Sequence, residues 1–329
     1  MRILVVDVAA EFSGALSVLK QYIEKFREDS DNEYYVCVSV LDFQDSENVH
    51  FLKLPWVKRS HLHRLYFDLF YIKKLTKTLV PDLIFSLQNK AFHTKIDQEV
   101  FFQNALFICE KRFSLRESKK LWVYQNVISR LTRSSLKNVR QIYVQAPWIK
   151  RALSERWKID EEKITVKRPE VHPVFRDASA EPQAKRKLFY PANYHVYKNH
   201  ATLLQACAEL WEEKGSDFFS LYLTGTQDAL PDACKRLIEN KNYPIVFLGK
   251  LTPEEMKAQY LESVLVFPSY LETAGLPLVE ARSLGCKILA ADCEYARDML
   301  DGYLGVSYFL PFDAKQMKEL INDHLVREL

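Results

Sequence analysis

Two glutamates near the end of the chain have the spacing of a ligand-binding pair. Glu272 and Glu280 stand eight positions apart in the stretch ETAGLPLVE. On one continuous helix they would lie roughly 80° apart around the axis, which is a poor geometry for reaching one ligand. Pro277 is favoured at the start of a helix, so we predict that the helix begins at Leu276 or Pro277. Glu272 then lies on the preceding loop and Glu280 on the first helical turn.

The residues between the glutamates suit an anion. Thr273, Ala274 and Gly275 offer backbone N–H groups at a helix N-terminus, where the dipole and the unpaired donors favour phosphate. Carboxylates beside a phosphate are suited to sugar hydroxyls, and acidic groups commonly hold the ribose of a nucleotide in such folds. In the alternative interpretation, Glu280 only complements the helix dipole and Glu272 is a surface acid. The pair alone leaves both interpretations open.

Strands and helices alternate along the whole chain. Short apolar runs rich in β-branched and aromatic residues are each followed by helical spacing, which indicates parallel strands joined by crossover helices. We predict ten strands, within 2–8, 34–40, 82–87, 99–105, 141–146, 187–192, 219–225, 245–250, 264–269 and 286–292. In the second half we predict helices that start near Tyr197, Ala229, Pro253, Pro277 and Glu294.

This pattern predicts an α/β protein with two Rossmann-like domains. The first domain covers 1–168, a proline-containing linker covers 169–186, the second domain covers 187–312, and a C-terminal helix covers 313–329. We expect the two sheets to face each other across a cleft, because open α/β sheets bind ligands beyond the carboxyl ends of their strands.

The bulk composition excludes several classes of protein. The 329 residues are 48% hydrophobic, and the formal charge of +3 is too mild for a nucleic-acid binder. The six cysteines contain no CxxC pair and are typical of buried thiols in a reducing compartment. The N-terminus does not resemble a signal peptide, and no apolar run approaches the roughly 20 residues of a membrane span. We therefore expect a cytoplasmic location.

The stretch VLVFPSYLETAGLPLVEARSLGCKILAADC resembles the signature of glycosyltransferase family 4, within the glycosyl transferases group 1. That signature is a Glu, seven residues and a second Glu, within a strand, Pro-Ser, loop and helix. The segments YLTG and YKNHATLLQA match neighbouring parts of the family, and the resemblance is strong from about Lys187 to Arg297. In the first half of the chain the resemblance is weaker, and it is mainly to enzymes that build bacterial surface polysaccharides. The resemblance implies two Rossmann-like domains in the GT-B architecture and a retaining transfer from a nucleotide sugar.

The resemblance also implies roles for particular residues. Glu280 would bind the ribose, Glu272 would lie against the donor sugar, and Lys198 would bind the diphosphate. The implied donor-binding residues, together with those three, are Gly14, Asn193, Gly225, Gly249, Lys250, Thr273, Ala274, Gly275 and Leu276. Gly249 and Lys250 would border the nucleobase, and Gly14 would approach the donor from the first domain.

The chain departs from the family at two positions that bear on catalysis. Asn193 occupies the position of an Arg that usually stands five residues before the phosphate lysine. Gln103, in FFQNALF, occupies the position of a histidine near the donor sugar, and we assign it as a catalytic residue with Glu272 and Lys198. These departures support an alternative, a catalytically weak or inactive GT-B subunit that binds a sugar nucleotide or supports a partner enzyme.

We expect the reaction to need no metal. In the mechanism implied by the family, the acceptor hydroxyl attacks on the leaving-group side and the diphosphate takes its proton. Lys198 and the helix start at Gly275 would stabilise the charge on the diphosphate. The one Asp-x-Asp, at 29–31, lies in a polar turn, and His61 and His63 are interpreted as surface residues. The lack of a GxGxxG turn disfavours a nicotinamide oxidoreductase.

Basic charge is concentrated in the first domain. Segment 51–80 contains seven lysines and arginines and one acidic residue, and segment 111–140 contains nine and one. The basic residues of the first segment are interleaved with aromatic residues: Trp56, Tyr66, Phe67, Phe70 and Tyr71. Such segments suit an anionic membrane surface, although the aromatics could equally be core and the charges a solvated face. We therefore predict a nucleotide-sugar donor, a glycan or lipid-linked acceptor, and peripheral contact with the inner face of the cell membrane.

Overall fold

The computed structural model describes residues 1–10, 13–39, 43–176, 182–183 and 186–326. They divide into two compact units, Met1–Arg168 and Pro169–Leu329. Both units are α/β folds with a single parallel sheet, which we call the first and the second unit.

The first unit contains a seven-stranded sheet. Its strands are β1 Arg2–Val6, β2 Glu33–Val38, β3 Val49–Lys53, β4 Leu83–Ser86, β5 Asp97–Phe102, β6 Gln141–Val144 and β7 Ile164–Val166. They are arranged in the order β3-β2-β1-β4-β5-β6-β7, and every neighbouring pair is parallel. The strand order reverses between β1 and β4, which makes this gap the topological switch point.

The helices of the first unit cover both faces of the sheet. They are α1 Ser13–Glu28, α2 His61–Tyr66, α3 Ile72–Leu79, α4 Lys119–Val123, α5 Ser129–Ser135 and α6 Pro147–Trp157, with 3-10 turns at Pro55–Lys58, Ala105–Phe107, Leu136–Asn138 and Glu161–Lys163. Leu19, Ile23 and Phe26 of α1 pack with Val5 on one face, as their spacing predicts. Phe67 and Ile72 are buried on the opposite face.

Two long helical segments of the first unit contain a π-turn. Phe67–Tyr71 joins α2 to α3, and Tyr124–Ile128 joins α4 to α5. Each pair is therefore one continuous segment, 61–79 and 119–135, with a wider turn in its middle.

The second unit contains a six-stranded sheet. Its strands are β8 Lys187–Tyr190, β9 Ser220–Leu223, β10 Ile245–Phe247, β11 Val264–Phe267, β12 Ile288–Ala291 and β13 Val306–Phe309, in the order β10-β9-β8-β11-β12-β13. All neighbouring strands are parallel, and the switch point lies between β8 and β11.

The described part of the second unit contains six helices. They are α7 His200–Lys214, α8 Asp232–Ile238, α9 Pro253–Glu262, α10 Leu276–Ser283, α11 Glu294–Met299 and α12 Ala314–Val326, with 3-10 turns at Pro173–Phe175, Val196–Lys198 and Ser216–Phe218. The helix α12 corresponds to the C-terminal helix predicted over 313–329, and residues 327–329 lie outside the described residues.

All ten predicted strands are present, and three more were not predicted. The additional strands β3, β7 and β13 lie at the edges of the sheets. Edge strands have one unpaired side and need less apolar sequence, so VHFLK, ITV and VSYF carry a weaker signal than the central strands.

The segment predicted as a linker contributes packing to the second unit. The Phe175 ring meets the Tyr260 ring edge-on at 5.9 Å, and the Gln183 N–H donates to the Leu261 carbonyl at 2.7 Å. Residues 177–181 and 184–185 of that segment lie outside the described residues.

The cysteines are free thiols, as predicted. Five are buried and Cys293 is half-buried. Within the described ranges, we find no helix that is both long and apolar enough to cross a membrane.

Candidate functional site

Lys198 and Glu272 meet at the switch point of the second sheet. Lys198 ends the 3-10 turn that follows β8, and Glu272 lies on the loop after β11. The Lys198 Nζ forms an ion pair with Glu272 Oε1, and the side chains are only 16% and 14% exposed. A mostly buried pair of opposite charges therefore occupies the position where open α/β sheets bind ligands.

Hydrogen bonds between the two loops bring this pair together. The Tyr270 N–H and the Ser269 hydroxyl both donate to the Tyr197 carbonyl, at 3.0 and 3.2 Å. The Asn199 side chain donates to the Pro268 carbonyl at 3.2 Å, and Asn199 itself has a left-handed φ of 59°. The loops after β8 and β11 are thus fixed to each other on both sides of the ion pair.

Aromatic side chains shield the ion pair from water. The Tyr190 hydroxyl donates to the Lys198 carbonyl at 2.6 Å. Burial, and then the Glu272 carboxylate, raises the pKa of Tyr190 and raises that of Tyr197 to about 12. Burial, assisted by the charge on Lys198, lowers the pKa of His200 to about 3. His200 is therefore neutral, and Lys198 supplies the positive charge at this point.

The helix α10 begins at Leu276, as predicted. Gly275 is its N-cap residue and has a φ of 65°, which is a left-handed conformation suited to glycine. A Cβ at Gly275 would lie 3.2 Å from the Tyr295 ring. Along the loop, Ala274 is buried, Thr273 is half-buried and Leu276 is exposed.

Glu280 has a separate partner. Its Oε2 accepts a hydrogen bond from the Tyr260 hydroxyl at 2.7 Å. Burial raises the pKa of Glu280, while the Tyr260 bond and the nearby His172 act in the opposite direction. The two glutamates are thus held by different residues, Glu272 by Lys198 and Glu280 by Tyr260.

Sequence reasoning missed Tyr260. It lies on α9 and is fully buried, and nothing in PEEMKAQYLE distinguishes it from an ordinary core aromatic. Its role becomes visible only because α9 and α10 both pack against the turn Pro173–Phe175.

Gly225 and Gly249 join the ends of β9 and β10. They exchange backbone hydrogen bonds of 3.2 and 3.1 Å, and their φ angles are 131° and 70°. A Cβ at Gly225 would lie 2.8 to 2.9 Å from the Tyr194 side chain, whereas one at Gly249 would meet no atom within 4 Å. Lys250, which follows this pair, is exposed.

The Gly225 position adjoins buried polar atoms. The Tyr194 and His200 rings are 4.9 Å apart. Tyr194 Oη and His200 Nε2 have no hydrogen-bond partner within the described ranges. Asn193, the departure from the family pattern, is exposed beside them.

The two remaining predicted residues belong to the first unit. Gln103 follows β5, where its N–H donates to Asn89 Oδ1 at 2.6 Å and its side chain donates to the Leu87 carbonyl at 3.1 Å. Gln103 therefore ties the loop after β5 to the loop after β4. Gly14 lies in the first turn of α1.

The Asp-x-Asp segment stabilises a turn. The Asp29 carboxylate accepts from the Tyr34 hydroxyl at 2.5 Å and from the Asn32 amide at 2.8 Å. The part of the chain that the structure describes contains no group of three or more His, Cys, Asp and Glu side chains that could hold a metal. Metal independence stays a prediction.

Several solved structures share the fold of this chain. The chain aligns along 99% of its length with 90% of a sucrose-phosphate synthase from Thermosynechococcus elongatus, at a TM-score of 0.72 and 16% identity. It aligns equally far with 90% of WaaG, a glycosyltransferase involved in lipopolysaccharide biosynthesis, at 0.71 and 16%. The whole chain aligns with 91% of Anabaena HepE in complex with UDP-glucose, at a TM-score of 0.65 and 16% identity. The fold is the GT-B architecture of glycosyltransferases, with two Rossmann-like domains.

The family assignment rests on the second unit. The family model described as glycosyl transferases group 1 matches residues 172–327. The second unit thus contains a glycosyl transferases group 1 domain, and the resemblance drawn from its signature is confirmed. No curated protein matches the chain by sequence.

Proposed function

We propose that this protein is a retaining glycosyltransferase. It moves a sugar from a nucleotide-diphosphate sugar to a glycan or lipid-linked oligosaccharide in the assembly of a surface polysaccharide or lipopolysaccharide. The observation that carries the proposal is the Lys198–Glu272 pair at the switch point of a glycosyl transferases group 1 domain. The UDP-glucose bound by HepE and the lipopolysaccharide role in the description of WaaG support the donor and the pathway.

The ion pair suggests how the donor binds. Negative charge builds on the departing diphosphate as the glycosidic bond breaks, and fixed cations and N–H donors stabilise that charge. Glu272 is the counter-ion of Lys198 in the structure. A donor diphosphate would replace Glu272 beside Lys198 and leave the Glu272 carboxylate to accept hydrogen bonds from the sugar hydroxyls. The α10 N-terminus at Gly275 and Leu276 would provide further donors.

Glu280 is suited to the ribose. Its partly buried carboxylate is oriented by the Tyr260 hydroxyl, and it can accept further hydrogen bonds from the ribose hydroxyls. Gly249 has open space around it and precedes the exposed Lys250, in keeping with the proposed place of both residues beside the nucleobase.

A panel of nucleotide sugars tests this function. We expect one of them, with UDP-glucose tried first, to raise the melting temperature, because binding to the folded state stabilises it. The same compound should then release its nucleotide in an assay with EDTA present, with the anomeric configuration retained in the product. If no nucleotide sugar stabilises the protein, the proposal is wrong.

A second candidate is a donor-binding subunit with little activity. It is favoured by Asn193 in place of an arginine and by the neutralisation of Lys198 by Glu272. Thermal stabilisation by a nucleotide sugar without any hydrolysis or transfer would identify this function.

We also propose that the first unit contacts the inner face of the cell membrane. Segment 61–79 exposes Leu62, Leu65, Tyr66, Leu69 and Phe70, and segment 119–135 exposes Val123, Tyr124, Val127, Ile128 and Leu131. The spacing of each set is that of one helical stripe, which in a helix packed on a core would be buried. We call these ten residues the exposed stripes.

Exposed lysines and arginines accompany the stripes. Lys73, Lys74 and Lys77 follow the first stripe, and Lys119, Lys120 and Arg130 flank the second. The aromatic residues of segment 51–80 differ in burial, because Phe67 is in the core while Phe70 is 61% exposed. Exposed apolar stripes bordered by cations favour an anionic bilayer over an ordinary solvated face.

A further inference from the structure

The switch point of the first sheet is lined by polar and charged residues that the donor site does not use. Asp7 follows β1, and Gln88 and Lys90 follow β4, on the two sides of the gap where the strand order reverses. Arg64 reaches the same place from segment 61–79, where its guanidinium donates to the Gln88 side-chain oxygen. Ligands bind preferentially at this position in open α/β sheets.

Two cations share one carboxylate in this cluster. Arg64 Nε lies 3.4 Å from Asp68 Oδ2, and Lys90 Nζ binds the same oxygen. Arg64 and Lys90 are each 27% exposed, so water screens their charges only in part. Burial lowers the pKa of Lys90, and Arg64 adds to this shift while Asp68 opposes it.

Asp7 compensates only part of the excess positive charge. Its Oδ1 accepts from the Ala10 N–H at 3.2 Å. Burial raises its pKa to about 7, against the backbone bonds and the charges of Arg64 and Lys58. At neutral pH Asp7 is therefore only partly ionised, and the cluster keeps a net positive charge.

Several buried polar atoms of the cluster have no partner within the described ranges. They are Asp7 Oδ2, Asp68 Oδ1 and Gln88 Nε2. The side chains of Asp7 and Gln88 are 2% and 8% exposed. A buried amide donor without a partner is costly, and its placement beside Arg64 and Lys90 indicates a site for a hydrogen-bonding anion.

We propose that Arg64, Lys90 and the Gln88 amide bind a phosphoryl group of the acceptor, which makes the acceptor a phosphate- or diphosphate-bearing glycan or lipid. Guanidinium and ammonium groups that lie close together suit phosphate oxygens, and Gln88 Nε2 adds a neutral donor. This inference rests on the proposed function only in calling the ligand an acceptor. The anion site itself is formed by residues of the first unit.

The same helical segment connects the site to the exposed stripes. Arg64 and Asp68 lie on segment 61–79, and the exposed Leu62, Leu65 and Leu69 are close to them in the sequence. The loop after β4 also contacts segment 119–135, because the Ala91 N–H donates a hydrogen bond to the Ser135 hydroxyl oxygen at 3.1 Å. A phosphate whose hydrocarbon tail lies in a bilayer would thus be bound next to the surface that contacts the bilayer.

Binding of phenyl phosphate to the full chain tests the site. The measurement is made in the Lys198→Ala variant, so that binding at Lys198 does not contribute. On that background we expect Arg64→Gln and Lys90→Gln each to weaken binding by about tenfold or more, since each removes a charged hydrogen-bond donor. Lys111→Gln is the matched control, because Lys111 pairs with Glu117 elsewhere in the first unit at 2.8 Å, and it should bind as its parent does.

A second pair of probes distinguishes the source of the phosphate. A polyprenyl phosphate in detergent micelles and water-soluble glucose 1-phosphate are compared for binding with the same variants. Loss of polyprenyl phosphate binding alone identifies a lipid-borne phosphate, and equal loss of both identifies a site that reads the phosphoryl group only.

Unchanged affinity for every phosphate probe in both variants would overturn the inference. Circular dichroism of the variants checks that the first unit stays folded, and Lys90→Gln keeps the test valid if Arg64→Gln unfolds it. Failure of the proposed function is a separate result, since it appears as a lack of stabilisation of the wild-type protein by nucleotide sugars.

Discussion

Lys198 and Glu272 show how two residues can be prepared for a charged ligand. Each is mostly shielded from water, and each has the other as its counter-ion. A buried ion pair contributes little net stability, because the cost of removing both charges from water offsets their attraction. The pair is therefore better explained by ligand binding, in which a diphosphate and a sugar replace the internal partners, than by stability.

Substitution of either residue should impair transfer far more than folding. We expect Lys198→Ala and Glu272→Ala each to lower the rate by on the order of a hundredfold, the size found when a transition-state donor is removed. Initial rates with the donor found in the panel provide the measurement. Lys187→Ala is the control, because Lys187 forms a 2.6 Å ion pair with Glu262 in the same unit and should keep its activity. Full activity in either site variant would contradict these roles.

Tyr260 should act on the donor only through Glu280. Tyr260→Phe removes the hydroxyl that orients the carboxylate, and we expect it to weaken nucleoside-diphosphate binding by roughly tenfold, the equivalent of one hydrogen bond. Isothermal titration with ribose and 2′-deoxyribose nucleotides checks this, because the penalty should shrink when the sugar lacks the hydroxyl. Tyr303→Phe removes a comparable hydroxyl bonded to the Cys286 carbonyl and should leave affinity unchanged. An equal loss for both nucleotides would mean that Glu280 does not contact the 2′-hydroxyl.

At the scale of elements, the ends of parallel strands determine which residues can meet. The loops after β8 and β11 lie side by side because these strands are neighbours, and the Tyr197–Tyr270 and Asn199–Pro268 bonds then fix the loops. The loops after β9 and β10 are joined through Gly225 and Gly249 in the same way.

The two glycines should differ in their tolerance of a side chain. Both have positive φ, which costs an L-residue about 1 to 2 kcal/mol. Gly249→Ala should lose only this amount, whereas Gly225→Ala should lose more, because its Cβ would also displace the Tyr194 ring. Chemical denaturation of the two variants measures the difference, and nucleotide affinity should fall further in Gly225→Ala. Equal stability of the two variants would show that Tyr194 moves away at no cost.

At the scale of the whole molecule, the two units place charged residues at the same position of the sheet, but the residues differ. Each has a parallel sheet whose switch point is lined by residues from the two flanking strand ends, Lys198 and Glu272 in one and Asp7 and Lys90 in the other. In the first unit this is combined with exposed apolar stripes and the two basic segments. The chain thus concentrates its proposed membrane contacts in the unit that we assign to the acceptor.

Flotation with liposomes tests the membrane contact. At low salt we expect the protein to float with vesicles of phosphatidylglycerol and phosphatidylcholine and to remain soluble with phosphatidylcholine alone, since the attraction to anionic lipid is electrostatic and screened by salt. Leu62→Glu and Phe70→Glu should each reduce the floated fraction several-fold. Leu304→Glu is the control, because Leu304 of the second unit is fully exposed and lies outside the stripes. A wild-type protein that stays in the soluble fraction would contradict the proposal.

Local sequence determined much of this protein. Central strands such as VLVF and ILAA are buried on both faces, so their apolar runs identify them without any knowledge of the fold. The start of α10 could be predicted from Pro277, because helix ends depend on local backbone preferences. The spacing of Glu272 and Glu280 revealed the resemblance to the family for the same reason, since both residues stand on one short loop and helix.

Only the tertiary structure decided which side chains meet. Lys198 and Glu272 are 74 positions apart, and Tyr260 and Glu280 are 20 apart on different helices, so no local pattern couples them. The structure also distinguishes Phe67 from Phe70. The two residues have the same propensities, but Phe67 faces the core and Phe70 faces the solvent. Propensity is a property of a few neighbouring residues, whereas ion pairing, burial and exposure depend on how distant segments pack together.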